Sequence, residues 1–350
     1  MMMNRGLLKP PDTESPMNRD ELQLWLNRVS RTFALTIRML KEPFRTYASS
    51  AYLLCRVADT IEDCETLSTN TKCRFLKGFA DRLGESPAPE SPQVTDLFVT
   101  PATCDEQLTL HEPSILALIR SFPGPVKDTI FRYAAEMAEG MVQFLELKDA
   151  RGSLRFESDD QLDRYCYYVA GTVGLMMNEL FGSISGTDRS AAKDGAVELG
   201  LGLQLTNIVK DLRKDRLRDI HYCPTEPSPH WPGPKPVNHS DEPGWEVRTL
   251  ASAALSHLAG GREYLLNLDS NLNQYKLFCI TNYMMAWKTL EACLRDPRRT
   301  AAEGGIRISR PSVYFTLLES RGCTVSNGFL NRRVDRLHRN CTNLVIATDR

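Results

Sequence analysis

Apolar residues recur at helical spacing over most of this 350-residue chain, and nowhere alternate between turn signals as a half-buried strand would. A first helical pattern covers about 19–83, with a break at Lys41-Glu42-Pro43. It resumes near Pro113, breaks at Phe122-Pro123-Gly124-Pro125 and continues to about Lys148. Ser158-Asp159-Asp160 makes a good helix start, and the helix that follows runs to Phe181. Further helices are predicted over about 190–216, 246–269 and 272–294. Residues 1–17 read as a disordered tail and 321–350 as a weakly patterned C-terminal tail. Irregular loops are expected at about 85–105 and 223–245, the second carrying seven prolines from Cys223 to Trp245. The expectation is an all-α, single-domain bundle over residues 18–320.

Composition narrows the function classes. The hydrophobic fraction is 42% and the charged fraction 25%, as in ordinary globular proteins. With 43 basic and 44 acidic residues the net charge is −1, which argues against a nucleic-acid partner. The 10 cysteines have irregular spacing, without a Cys-x-x-Cys pair, so neither a disulfide framework nor a thiolate metal site is expected. A reducing, cytoplasmic setting fits best. No signal-peptide core and no run of ~18 apolar residues is present. The expected protein is soluble, with any membrane contact peripheral.

Candidate chemistry lies in aspartates spaced at i and i+4. Four such pairs occur: Asp59/Asp63, Asp159/Asp163, Asp211/Asp215 and Asp215/Asp219. A solvated helix face explains any one of them, and Asp159/Asp163 sits at a polar helix start where acids favour the dipole. Asp59/Asp63 instead ends the apolar run Ala51-Tyr52-Leu53-Leu54-Cys55, with Glu62 able to share its face. Asp211/Asp215 ends a second run, Leu199 to Val209. Buried like charges need a cation. Mg²⁺ takes one or two carboxylates and completes its octahedron with waters and substrate phosphates. Two acidic pairs at the ends of apolar helices therefore suggest facing metal–diphosphate clusters around one cavity.

Other residues fit that picture without requiring it. Gln204, Asn207 and Asp211 line one helix face. Arg31 and Arg56 stand in apolar stretches, where phosphate recognition and a structural salt bridge to an aspartate are equally good readings. Within Tyr165-Cys166-Tyr167-Tyr168-Val169-Ala170-Gly171-Thr172-Val173-Gly174, either close helix packing or a ligand would explain the two glycines. Tyr165, Tyr168 and Thr172 share a predicted face, as plain core or as a cavity wall.

These residues, in this order, resemble the squalene/phytoene synthase family. The resemblance spans roughly residues 19–318. Ser30-Arg31-Thr32-Phe33 is similar to the family's Ser-Arg-Ser-Phe motif, and Tyr52 to Asp63 to its first aspartate motif. Tyr165 to Gly174 is similar to its tyrosine helix, and Gln204 to Asp215 to its second aspartate motif. The resemblance implies the isoprenoid synthase bundle with a central cavity. It further implies head-to-head joining of two farnesyl diphosphates through presqualene diphosphate, with NADPH-dependent reduction to squalene. By the same resemblance Asp59, Glu62, Asp63, Asp211 and Asp215 carry Mg²⁺ and diphosphate, and Tyr165 moves a proton. Ser30, Phe33, Tyr52, Gln204 and Asn207 contact substrate, and Arg31, Arg56 and Lys210 hold the substrate's phosphates or those of NADPH.

Leu277-Phe278-Cys279-Ile280 and the basic segment Ile306-Arg307-Ile308-Ser309-Arg310 resemble the reducing, squalene branch, with Arg307 and Arg310 then serving NADPH. Departures are Ile220 where the family often has arginine, with Arg218 nearby, and Asn282 where the squalene branch often has proline. The C-terminal anchor of eukaryotic members is absent, which makes a bacterial-type enzyme the expectation. The rival readings are a non-reducing phytoene, dehydrosqualene or presqualene diphosphate synthase, and a non-catalytic relative acting as a binding or assembly protein. A hydrolase is disfavoured by the lack of a water-activating histidine among the six.

Overall fold

The computed structural model describes residues 15–30, 32–84, 91–98, 100–224, 244–268 and 273–346. Arg31, most of the 223–245 loop and nearly all of the N-terminal tail lie outside the described residues. The described chain is all-α. Its first half holds α1 (Arg19–Val29), α2 (Thr32–Ile37), α3 (Phe44–Asp63), α4 (Thr69–Leu83), α5 (Cys104–Thr109), α6 (Glu112–Arg120) and α7 (Gly124–Glu146). Next come β1 (Leu154–Arg155), α8 (Asp159–Cys166), a π-helical turn at Tyr167–Gly171, α9 (Thr172–Ser185), α10 (Lys193–Leu217) and β2 (Ile220–His221). The remainder is α11 (Trp245–Leu266), α12 (Asn273–Arg295), α13 (Pro297–Glu303), α14 (Arg310–Val325) and α15 (Asn327–Ile346).

Local signals set several of these boundaries. Asn18 caps α1 through a capping box with Glu21, Ser68 caps α4, and Ser158 caps α8, so Asp159 and Asp160 occupy its dipole-favoured first turn. Pro123 stands at the N-cap of α7 and ends the pattern of α6. The predicted break at Lys41-Glu42-Pro43 separates α2 from α3.

α10 is the axis of the bundle, packed against α8, α9, α11, α12, α13 and the π turn. Its residues are buried on most sides, Leu199, Leu201, Leu205, Ile208, Val209 and Leu212 among them. Small residues let its neighbours come close. A Cβ on Gly200 would stand 2.5 Å from the Ala170 carbonyl oxygen, and one on Gly174 would stand 2.3 Å from that of Ala196. Gly174 is thus explained by backbone packing against α10, while a Cβ on Gly171 would meet the Tyr167 ring at 2.9 Å and the Leu201 side chain of α10 at 3.2 Å.

Four features differ from the sequence reading. Residues beyond Arg321 are no tail: α15 buries Leu330, Val334, Leu337 and Cys341 against α11 and α12. Its apolar positions recur at helical spacing, but arginines between them dilute the pattern. The expected loop at 85–105 gives way at Cys104 to α5, capped by Thr103 with Glu106. β1 and β2 pair in parallel, Leu154 opposite Ile220, in two-residue strands too short for any periodic signal. Met17, placed in the expected N-terminal tail, is buried.

His257 on α11 is clamped between Asp163 of α8 and Glu198 of α10, at 3.2 and 2.9 Å. Burial alone would depress its pKa, but the two carboxylates overcome that and raise it to about 9. Its folded value exceeds that of the unfolded chain. The stabilisation is therefore complete below about pH 6.5 and is lost as pH rises through about 9. Denaturant titrations should show His257→Gln less stable than the parent by about 2 kcal/mol at pH 6.5, with Glu198's partial exposure discounted. The gap should shrink markedly by pH 9.5; a gap independent of pH would refute this ion-paired role.

Candidate active site

The bundle encloses a cavity of about 470 Å³, within the size range of small-molecule sites. Its deep wall is apolar and aromatic: Phe33, Met137, Met141, Met176, Leu203 and Phe278 are among its residues. Its other end carries five carboxylates. Asp59, Glu62 and Asp63 come from the last turns of α3, and Asp211 and Asp215 from the last turns of α10.

Acids at helix carboxyl ends face the negative pole of the helix dipole; here Asp215 is buried and Asp59, Glu62, Asp63 and Asp211 are half-buried. Burial is the main cause that raises Asp59 to about 7 and Asp215 to about 6, with neighbouring aspartates adding to it. Glu62 is raised for the same reasons, burial first and Asp63 next. Asp63 goes the other way. Burial pushes it up, but Arg218 outweighs burial and holds it below the ordinary carboxylate value.

Arg218 is the link between the two clusters. Its Nη2 donates to Asp63 Oδ1 at 2.8 Å and to the Asp63 carbonyl at 3.0 Å, while its Nη1 stands 3.7 Å from Asp215 Oδ1. Arg56 is held by Asp105 of α5 at 2.8 Å and lies 3.9 Å from Asp59. Lys210 stands 3.2 Å from both Asp211 and the Asn207 side-chain oxygen. Of the tyrosines in the α8–π-turn segment, Tyr165 alone lines the cavity. Its hydroxyl is 3.2 Å from that of Tyr222, which lines the cavity from just beyond β2. Burial, then the nearby acids, keeps both phenols well above their usual pKa and therefore protonated.

The squalene/phytoene synthase family model matches residues 26–312 of the chain. The chain belongs to that family. Among curated members, squalene synthase of Schizosaccharomyces pombe is 27% identical over 292 residues, which cover 82% of this chain and 62% of that protein. The human squalene synthase is 26% identical over 321 residues, 90% of this chain and 72% of its own length. This member of the family thus spans less than two thirds of the fission-yeast protein. A solved complex of TcSQS with the ligand BPH1237 superposes with a TM-score of 0.72 at 22% identity, over 93% of this chain and 97% of that one. A dehydrosqualene synthase bound to a ligand gives 0.57 at 17% identity, over 87% and 95%. Both branches share this fold, so the fold alone does not separate them.

The structure brings most of the expected site residues of this family member together. Asp59, Glu62, Asp63, Asp211, Asp215, Phe33, Tyr52, Arg56, Gln204, Asn207, Lys210 and Tyr165 all line one cavity. Ser30 is outside the lining and reaches it through a hydrogen bond with Tyr52. Arg307 and Arg310 are exposed and do not line the cavity. Their segment nonetheless adjoins it, since the Gly305 N–H donates to the Lys210 carbonyl at 2.8 Å. Asn282, at the proline position of the squalene branch, lines the cavity and exchanges a 3.3 Å hydrogen bond with Thr36.

Sequence reasoning passed over Lys214 and Tyr222 and gave Arg218 only a minor place. Lys214 lies three residues past Asp211 on the acid-bearing face, a signal that could have found it. Tyr222 follows a strand too short to read.

Oxygen donors in i,i+4 pairs fit a hard divalent cation such as Mg²⁺. Among the described residues no three His, Cys, Asp or Glu side chains converge as a ready ion site. The chain therefore offers pairs, and substrate oxygens and water would complete the shell. Removing the protein's own cation should expose the repulsion. Arg218→Gln should lower the midpoint of thermal unfolding by a few degrees, as expected for breaking a pair buried on the arginine side and half-exposed at Asp63. It should also weaken binding of inorganic diphosphate roughly tenfold or more in calorimetry. An unchanged diphosphate affinity would refute the bridging role.

Proposed function

We propose that this enzyme joins two farnesyl diphosphates head to head through presqualene diphosphate and, with NADPH, reduces that intermediate to squalene. The observation that carries the reading is one cavity with two carboxylate clusters at one end, an apolar wall at the other and the buried Tyr165 phenol near Glu62 and Asp63. Ionising an allylic diphosphate separates a highly charged inorganic diphosphate from a carbocation, and each half of the cavity suits one product.

Asp59 with Asp63 and Asp211 with Asp215 would hold Mg²⁺, and Glu62 supports the first pair. The bound ions would neutralise charge on the departing diphosphate. Arg56, Lys210 and Arg218 offer donors to the same oxygens, while Gln204 and Asn207 orient the substrate head by hydrogen bonds. Phe33, Tyr52 and the methionines of α7 and α9 exclude water from the cation, and the aromatic faces favour it electrostatically. Tyr165 relays the proton lost on ring closure, taking it up as its own hydroxyl proton passes to the diphosphate released in the reaction, while the hydrogen bond with Tyr222 holds the phenol in place. Lys210 and the adjoining Arg307 segment would meet the phosphates of NADPH at the mouth.

Asp59→Asn and Asp211→Asn should each lower turnover by at least about 10²-fold, with circular dichroism unchanged. Near-normal activity in either would defeat the two-cluster mechanism. Tyr165→Phe should retain substrate binding while losing roughly 10²-fold in product formation. Product analysis by mass spectrometry, with farnesyl diphosphate and Mg²⁺ in the presence or absence of NADPH, decides the branch. Squalene only with NADPH is the expected result. Dehydrosqualene or presqualene diphosphate in both tubes would move the assignment to a non-reducing branch, which the exposed position of Arg310 and the asparagine at 282 would then explain.

A further inference from the structure

α14 is amphipathic in the reverse sense. The side it turns inward carries Thr316, Ser320, Cys323 and Thr324, all buried. Their hydroxyls are satisfied within the helix, Thr316, Ser320 and Thr324 each donating to the carbonyl four residues earlier at 2.7–2.8 Å. The side it turns outward carries Tyr314, Phe315, Leu318 and Val325, exposed by 69, 64, 61 and 88%. At about 100° per residue these four fall on one contiguous face. Phe329 of α15 extends it, its ring lying 3.2 Å from where a Cβ on Gly322 would stand. A bundle helix ordinarily buries its apolar stripe, so a helix that buries hydroxyls and exposes aromatics has a partner for that face.

Charge selects the partner. Arg310 and Arg321 fall on the margin of the same face, both exposed and without an acidic partner among the described residues. No acid shares the face. Glu319, at the opposite margin beside Phe315, is half-buried and neutralised by Lys288 and Arg333. An apolar helix face edged by arginine and carrying a tyrosine is suited to lie in the plane of a bilayer interface with anionic headgroups. We propose that the outer face of α14, with Phe329, docks this protein on an anionic phospholipid surface. α14 does not line the catalytic cavity, so the inference stands apart from the proposed reaction.

Flotation of the full chain with phosphatidylcholine/phosphatidylglycerol vesicles tests it. The parent protein should float with these vesicles and remain largely in the soluble fraction with phosphatidylcholine alone. Phe315→Glu combined with Leu318→Glu should lower vesicle binding at least about tenfold with an unchanged melting curve, and Arg321→Gln should lower it roughly fivefold. Tyr314→Trp should show a blue shift in emission when anionic vesicles are added. A parent protein that ignores both vesicle types would overturn the proposal. So would vesicle binding indifferent to the double glutamate variant. Light scattering that shows a dimer dissolved by that variant, without vesicle binding, would assign the face to a second copy of the chain instead.

Discussion

Like charges gathered at the carboxyl ends of two helices repel one another and the backbone dipoles behind them, and this repulsion organises the site. α3 and α10 each bring their acids to their last turns, the electrostatically unfavourable end. Arg218 follows α10 directly as its C-cap and reaches across to both the carboxylate and the main-chain carbonyl of Asp63. It thereby neutralises part of each cluster and ties the end of one helix to the end of the other. The parallel β1–β2 pair then directs the chain so that Tyr222, beyond it, meets Tyr165 inside the cavity.

The apolar end depends on a different constraint, the closeness of backbones. α10 can serve as a central helix because α9 and the π turn approach it at glycines rather than over side chains. A cavity charged at one end and apolar at the other follows from long helices that are apolar along most of their length and acidic only at their ends.

Much of this was legible in the sequence. Period, prolines and capping residues marked α6, α7, α10, α11 and α12 closely and the start of α3, though not its end, and the paired acids named both clusters. What escaped was set by contacts remote in sequence. Arg218 earns its role from Asp63, 155 positions away. The acid that holds Arg56 is Asp105 rather than an aspartate of the motif, and it stands in a short helix that looked like loop. α15 was read as a tail because charged residues interrupt its stripe, and α14 showed no usable pattern because its polarity is reversed. Tyr165, Tyr168 and Thr172, grouped on one face by uniform helical pitch, are parted in the structure. Tyr165 lines the cavity, while Tyr168 packs its ring over Gly140.

That parting comes from the π turn at Tyr167–Gly171, which holds one residue more than an α-helical turn. The extra residue lets both Val169 and Ala170 border the cavity, followed by Val173, Gly174 and Met177. Deleting any one residue of the turn would restore even pitch and rotate everything downstream by about 100°. Gly174 would then leave the Ala196 carbonyl that only a glycine can approach, and a bulky neighbour would take its place. The segment is therefore constrained in its residue count more than in its residue identities: it can change its letters but not its length.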